Sequence, residues 1–344
     1  MNTAAKDWLS RFLDRSGVLR FLERRQTPQA AIFALHRILP ADEVAQSYNR
    51  EIVLEKECFR AFLQWLANEW TVVSLEQLWE DPLPASSRVC ALTFDDGWED
   101  NYRIAFPLLQ EVRLPATIFL PTAYIGTNNY MPEERLARLL ARIDTAGEQS
   151  LFAERFTDAV GGAVSPELLS AGRYQSIFKK VPLQLKIRVL GMLEQQFGGS
   201  GNNGRHTITW DEARRMRAHG ISFGSHTVNH CLLACEHENT IANELQTSRQ
   251  VLRQQLGDAL DALAYPNGSY DSRVVRLAAE CGLKACVTTE YGVVRADTDR
   301  FRLPRIPIDT AVLSDEASQF SLARTRTYVL RASRFRKIGP EIHS

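Results

Sequence analysis

A chain of 344 residues can bury a sizeable core as one large domain or two ordinary ones. Its 41 basic and 41 acidic side chains cancel, which argues against a general nucleic-acid binder, because such affinity rests on a basic excess. With 44% hydrophobic and 24% charged residues, and no window near the ~18 apolar residues that a spanning helix needs, the composition is that of an ordinary globular protein.

Six cysteines, at positions 58, 90, 231, 235, 281 and 286, lack the C-x-x-C spacing of a structural zinc site and read as buried free thiols of a reducing compartment. The first residues show no positive segment followed by an apolar run, so the expectation is a cytoplasmic protein, at most peripheral at the inner membrane surface. Nothing in the pattern speaks to oligomeric state.

Residues 6–25 carry an amphipathic helical pattern, with Trp8, Leu9, Phe12, Leu13, Leu19, Phe21 and Leu22 against five arginines, broken at Ser16-Gly17. Such a helix either lies on an anionic membrane or packs on its own domain; Asp7, Asp14 and Glu23 dilute the charge and favour packing. A short buried strand over 30–35 then ends at His36-Arg37. A helix over 55–69, a strand at 71–73 and a second helix capped by Ser74 follow.

The run from Val89 to Phe94 is apolar without alternation, as a strand buried on both faces requires, and stops at Asp95-Asp96-Gly97-Trp98. Taken alone, the two carboxylates are equally a tight turn or a reactive pair at a strand tip. Helical spacing over 98–112 is interrupted by Pro107, and a β-rich run over 116–120 completes a strand, helix, strand unit that favours parallel pairing. Residues 131–199 read as several helices without a second set of catalytic residues, an insertion that shapes a cleft. Thr209 caps a helix to His219. A strand over 221–224 then leads into Ser225-His226-Thr227-Val228-Asn229-His230. A long helix over 239–256, a strand at 262–265, a turn at Pro266-Asn267-Gly268, a helix over 272–281 capped by Asp271, a strand at 285–288 and an extended segment over 301–308 follow. The arginine-rich stretch 322–337 reads as a solvated terminal helix.

His226 and His230 stand four apart, a spacing that on a helical turn places both imidazoles on one face toward a metal ion. With a carboxylate from Asp95-Asp96 they form an Asp plus two His set, which leaves coordination positions open for water and substrate.

Three stretches, Thr93-Phe94-Asp95-Asp96-Gly97, Ser225 to His230 and Tyr265-Pro266-Asn267-Gly268-Ser269-Tyr270-Asp271, together resemble the first motifs of the polysaccharide deacetylases, the NodB-homology or family-4 carbohydrate esterases. The resemblance runs from about residue 30 to 309, omitting the insertion. It implies an α/β fold, a distorted (β/α) barrel of the NodB-homology type with a helical insertion. It also implies metal ligands Asp96, His226 and His230, with Zn²⁺ the expected ion among several divalent candidates, and Asp95 as general base. The backbone N–H of Asn267 would hold the oxyanion, and Tyr265 and Trp98 would face the sugar. Two positions depart from the pattern. Where many members carry an arginine to orient the base, this chain has Ala264, and the task passes to Arg305 or to no residue. No late Leu-x-His motif supplies a general acid, but Ala34-Leu35-His36-Arg37-Ile38 resembles the start of the permuted branch of exopolysaccharide and poly-N-acetylglucosamine deacetylases, which makes His36 the acid.

The expected layout is an N-terminal amphipathic segment over 1–28, a barrel over 29–310 with its insertion at about 131–205, and a basic tail over 311–344. The expected activity is metal-dependent N-deacetylation of an N-acetylhexosamine in a glycan or glycan precursor. A glycoside hydrolase using Asp95 with another carboxylate would leave the histidines unexplained. A glycan-binding protein with a degenerate site would leave the full Asp-Asp-His-His set unexplained.

Overall fold

The computed structural model describes residues 12–19, 21, 30–80, 88–161, 171–199, 204–315 and 319–334. The rest of the expected amphipathic segment over 1–28, the tail beyond 334 and His343 lie outside the described residues.

The architecture is a distorted parallel β-barrel decorated with helices. β1 (Ala30–Leu35) and β5 (Val89–Phe94) are buried at every position and pair along their whole length. The other edge of β5 is divided, with β4 (Thr71–Val72) taking its first residues and β6 (Ala116–Leu120) its last. The sheet continues through β7 (Ile221–Ser225), β8 (Ala262–Ala264), β9 (Ala285–Tyr291) and β10 (Leu303–Pro307), which returns to β1 and closes the ring. Every one of these pairings is parallel. All the strand tips therefore open on one end. A short parallel pair, β2 (Arg37–Leu39) with β3 (Val53–Glu55), stands just beyond the tip of β1.

Small side chains fill the barrel because strands that curve into a narrow ring leave little room. Ala30, Ala91, Ala262, Ala264 and Ala285 meet Ile32, Val287, Leu303 and the ring of Phe119. Gly224 makes that packing possible, since a Cβ there would stand 2.6 Å from the Phe119 ring and 3.0 Å from the Ala262 carbonyl oxygen. Outside the ring, α1 (Lys56–Glu69) buries Phe59, Phe62 and Leu66 against the outward faces of β1 and β5. The helix after β5 contains a π turn over Asn101–Ala105 before its last segment, α2 (Phe106–Val112), begins around Pro107.

The insertion consists of α3 (Pro132–Ala146), α4 (Gln149–Val160), α5 (Ala171–Lys179) and α6 (Leu183–Phe197), which pack around their own core of Leu136, Phe152, Phe156, Phe178 and Val189. Then come α7 (Trp210–Arg217), started by a capping box between Thr209 and Glu212, α8 (Glu238–Leu256), and α9 (Ser272–Glu280), capped by Asp271 as expected. The last helix, α10 (Leu322–Arg334), is not the solvated element expected. Val329, Leu330 and Ala332 are buried, and Arg326, 0% exposed, pairs with Asp14 at 2.9 Å and with Glu69. A buried guanidinium needs such partners, so the arginines that looked like a charged tail include one that ties three segments together. Among the described residues no helix is long and apolar enough to cross a membrane.

Candidate functional site

At the open end of the barrel the chain turns sharply in three places. Asp95 follows the alternation of β5 and points inward, while Asp96 is turned by a left-handed backbone, φ 75°, that continues through Gly97 at 61°. After β7, Thr227 at φ 66° and His230 at φ 54° fold residues 226–230 into an irregular loop. The two histidines therefore do not sit on a helical turn, as their spacing suggested. They converge because Glu244 of α8 collects the loop, accepting the N–H groups of Val228 and Asn229 at 2.8 and 2.9 Å and the Asn229 amide at 2.6 Å.

The outcome is a cluster of Asp96, His226 and His230, all buried. Each histidine Nε2 stands 3.4 Å from the same oxygen, Asp96 Oδ1, which is buried and has no hydrogen-bond partner. The other oxygen, Oδ2, accepts the Trp98 indole N–H at 3.0 Å. His226 Nδ1 meets the Ala264 carbonyl oxygen at 2.7 Å and His230 Nδ1 meets Glu133 Oε2 at 3.4 Å. Both rings thus spend their outer nitrogen on the protein and turn the inner one toward the orphaned oxygen. That is the donor set and orientation a divalent cation requires. Against a burial that would raise it, the two histidines hold the Asp96 carboxyl well below the usual carboxylate range.

Asp95 has a different environment. Arg305, 1% exposed inside the barrel, grips it in a two-pronged contact with Nη1 to Oδ1 at 2.8 Å and Nη2 to Oδ2 at 2.7 Å. The guanidinium is itself held by the Thr288 carbonyl and the Thr93 hydroxyl, at 2.8 and 3.2 Å. Burial raises the Asp95 pKa, but Arg305 outweighs it and keeps the carboxylate ionised.

His36 stands across the cleft with Nε2 3.9 Å from Asp95 Oδ2. Its backbone is clamped from both sides, since Asn101 donates to the His36 carbonyl at 2.7 Å and Asp100 accepts from the Ile38 N–H at 2.8 Å and Arg37 Nε at 2.9 Å. Burial holds the imidazole below its ordinary pKa despite the nearby carboxylates.

The cluster lies at the bottom of a cleft of about 240 Å³ lined by His36, Asp95, Asp96 and Asn267 from the barrel, with Glu133, Glu134, Gln175 and Lys179 from the insertion on one wall. Asn267, at φ 51° in the turn after β8, lines this cleft.

Two expected sugar-facing rings are placed otherwise. Tyr265 is 0% exposed; its ring stacks on Tyr270 and its hydroxyl donates to the Phe301 carbonyl at 3.1 Å, so it anchors the turn from within the core. Trp98 is also buried, with the Arg37 guanidinium 4.6 Å above its ring and its N–H committed to Asp96. It reaches the cleft wall but offers no open face.

A family model described as polysaccharide deacetylase matches residues 83–152 and 189–286, the two blocks on either side of the middle of the insertion. The Bacillus subtilis protein YxkH, whose name places it among polysaccharide deacetylases, is 21% identical over 267 residues, which cover 76% of this chain and 68% of that one. Among solved structures, the Streptococcus pyogenes deacetylase PplD in complex with acetate is similar at a TM-score of 0.55 and 22% identity, over 83% of this chain and 94% of that one. IcaB from Ammonifex degensii is similar at 0.53 and 15%, over 89% and 98%. The chain has the polysaccharide deacetylase fold, related to these bacterial proteins at low identity.

Proposed function

On a chain with the polysaccharide deacetylase fold, we propose that this cleft performs metal-dependent hydrolytic N-deacetylation of an N-acetylhexosamine in a glycan or glycan precursor, releasing acetate. The observation that carries the reading is the bare Asp96 Oδ1 faced by two histidine nitrogens at 3.4 Å, beside a second carboxylate held ionised and aimed into the same cleft. Asp96, His226 and His230 would hold a divalent cation, Zn²⁺ being the ion expected; when bound, it polarises the acetyl carbonyl and makes water more acidic.

The protein's own groups do the rest. Asp95 accepts the proton of the attacking water, and Arg305 fixes which way its free lone pairs point. Both of its oxygens already bind Arg305, so Asp95 is a weak base that returns its proton readily. His36, its Nε2 3.9 Å from Asp95 Oδ2, takes the proton from Asp95 by way of one water and delivers it to the leaving amine as the C–N bond breaks. The backbone N–H of Asn267 receives the oxyanion. The small cleft suits a single sugar residue with its acetyl group buried. The Streptococcus pyogenes relative holds acetate, the product this reaction would release.

Acetate release from N-acetylglucosamine oligomers, measured with chelator and with added Zn²⁺, tests the reading. Wild type should release acetate only with metal, and Asp95→Asn should bind sugar without turnover. Acetate release that survives complete chelation overturns the metal dependence, and chelator-insensitive shortening of the oligomers without acetate points instead to glycoside hydrolysis. If metallated wild type releases no acetate from any acetylated glycan, and binds sugar just as Asp95→Asn does, the site is a binding site.

A further inference from the structure

The helical insertion reaches the metal cluster through two charged residues, Lys186 buried and Glu133 half-buried, whose placement serves no obvious structural end. Lys186, near the start of α6, is 1% exposed, and its ammonium binds Glu133 Oε1 at 2.6 Å. Glu133 lies in the first turn of α3 and turns its other oxygen, Oε2, toward His230 Nδ1 at 3.4 Å. A buried ion pair is weak evidence of stabilisation, because desolvating the two ends offsets most of their attraction. Apolar side chains of similar size would fill this space between the insertion and the barrel at least as well. The pair must therefore be explained by what it points at.

It points at the outer nitrogen of a ligand. His226 and His230 both need Nδ1 engaged so that Nε2 is left as the unprotonated, correctly aimed donor. His226 obtains this locally, from the carbonyl of Ala264 at the end of the neighbouring strand. His230 sits on a left-handed residue at the end of its loop, and Glu133 is the partner its Nδ1 meets, a group from outside the barrel. A carboxylate makes the imidazole a stronger donor than a carbonyl does. Lys186 fixes that carboxylate from its other oxygen, Nζ to Oε1 at 2.6 Å. The insertion is also pinned to the same loop region a second time, since the N–H of Leu183 at the start of α6 donates to Glu236 at 2.7 Å.

We infer that Glu133 and Lys186 are positioning residues of the metal centre, acting in series: Lys186 sets Glu133, Glu133 sets His230, and the insertion thereby governs how tightly the cation is held. The inference rests on the metal-site reading above. It makes the insertion part of the centre as well as a wall of the cleft, and it ascribes to two residues 53 positions apart a single function.

Zn²⁺ affinity of the purified full-length chain, measured by competition with a chromophoric chelator, tests it without reference to turnover. Glu133→Gln should weaken Zn²⁺ binding by about 10- to 100-fold, the range for outer partners of metal-bound histidines. Lys186→Met should weaken it in the same direction, and the Glu133→Gln/Lys186→Met double variant should be no weaker than Glu133→Gln alone, because a relay in series fails once. The double variant removes both charges of the pair, so neither is left without its partner, and metal-free melting curves verify each fold. The visible spectrum of the Co²⁺-loaded protein should shift in Glu133→Gln and return in Glu133→Asp. Folded Glu133→Gln with wild-type Zn²⁺ affinity, or single-variant losses that multiply in the double variant, overturns the inference alone. Wild type that takes up no metal overturns it together with the metal-site reading.

Discussion

Replacing Arg305 with methionine should cost the fold more than almost any other single change, and the cost should depend on pH in a direction the site dictates. Arg305 and Asp95 are both buried and share two hydrogen bonds of 2.8 and 2.7 Å. Removing one partner of such a pair leaves an unpaired buried charge, worth about 3–5 kcal/mol. In wild type the Asp95 pKa lies below its unfolded value, so the contribution of the pair is present above pH ~4 and is lost as pH falls through the folded value. In Arg305→Met burial, the largest influence on Asp95, is opposed only by the weaker pull of His226 and His36, and its pKa rises. The folded variant then binds a proton more readily than the unfolded chain does, and falling pH stabilises it. Urea unfolding in EDTA, followed by tryptophan fluorescence at pH 7 and pH 5, should show a gap between wild type and Arg305→Met that narrows toward pH 5. Adding Asp95→Asn to Arg305→Met should recover most of the loss. A gap below about 1 kcal/mol, the scale of an exposed pair, would refute the reasoning. So would a gap that ignores pH, or a double variant no better than the single.

Trp98→Phe removes the donor to Asp96 Oδ2 and should weaken Zn²⁺ binding about 10-fold while metal-free melting shifts little, as chelator competition and calorimetry will report. Gly224→Ala drives a methyl into the Phe119 ring and should destabilise by about 1–3 kcal/mol in urea melts; a neutral result means the barrel core can move aside. His206 stacks on Tyr130, and its pKa is lowered to about 4, chiefly by burial and then by Arg138 and Arg37. Its neutral form is favoured by folding, so stability should fall as pH drops from about 6.5 toward about 4, and His206→Phe should remove that part of the acid sensitivity.

Most of the barrel was legible because its strands are buried on both faces and announce themselves as unbroken apolar runs, β5 above all. The carboxylates at its tip and the paired histidines were legible as residue types at a spacing. The backbone that brings them together was not, since Thr227 and His230 take left-handed conformations that nothing in their identity demands. Ala264 looked like a missing arginine until the fold put it in the packed barrel interior, with its carbonyl on His226, while Arg305 entered from β10. Glu133, Lys186 and Glu244 left no trace in local pattern because each acts across a long sequence separation, and a lone charged residue on an amphipathic helix reads as solvated. Asp100 and Asn101 sit beside the motif itself. Their work on the His36 backbone depends on where β1 ends, which only the closed sheet determines.

The left-handed turns around the cleft give this protein an unusual evolutionary balance. Asp96, Thr227, His230 and Asn267 each adopt a backbone that costs a non-glycine residue roughly 1 kcal/mol or more, and the branched Thr227 is the worst suited of the four. Asp96 adds a buried oxygen without a partner. Glycine at Asp96 would relieve both at once, against the loss of the acceptor for the Trp98 indole N–H, so the strain at this position is held in place by the chemistry it serves.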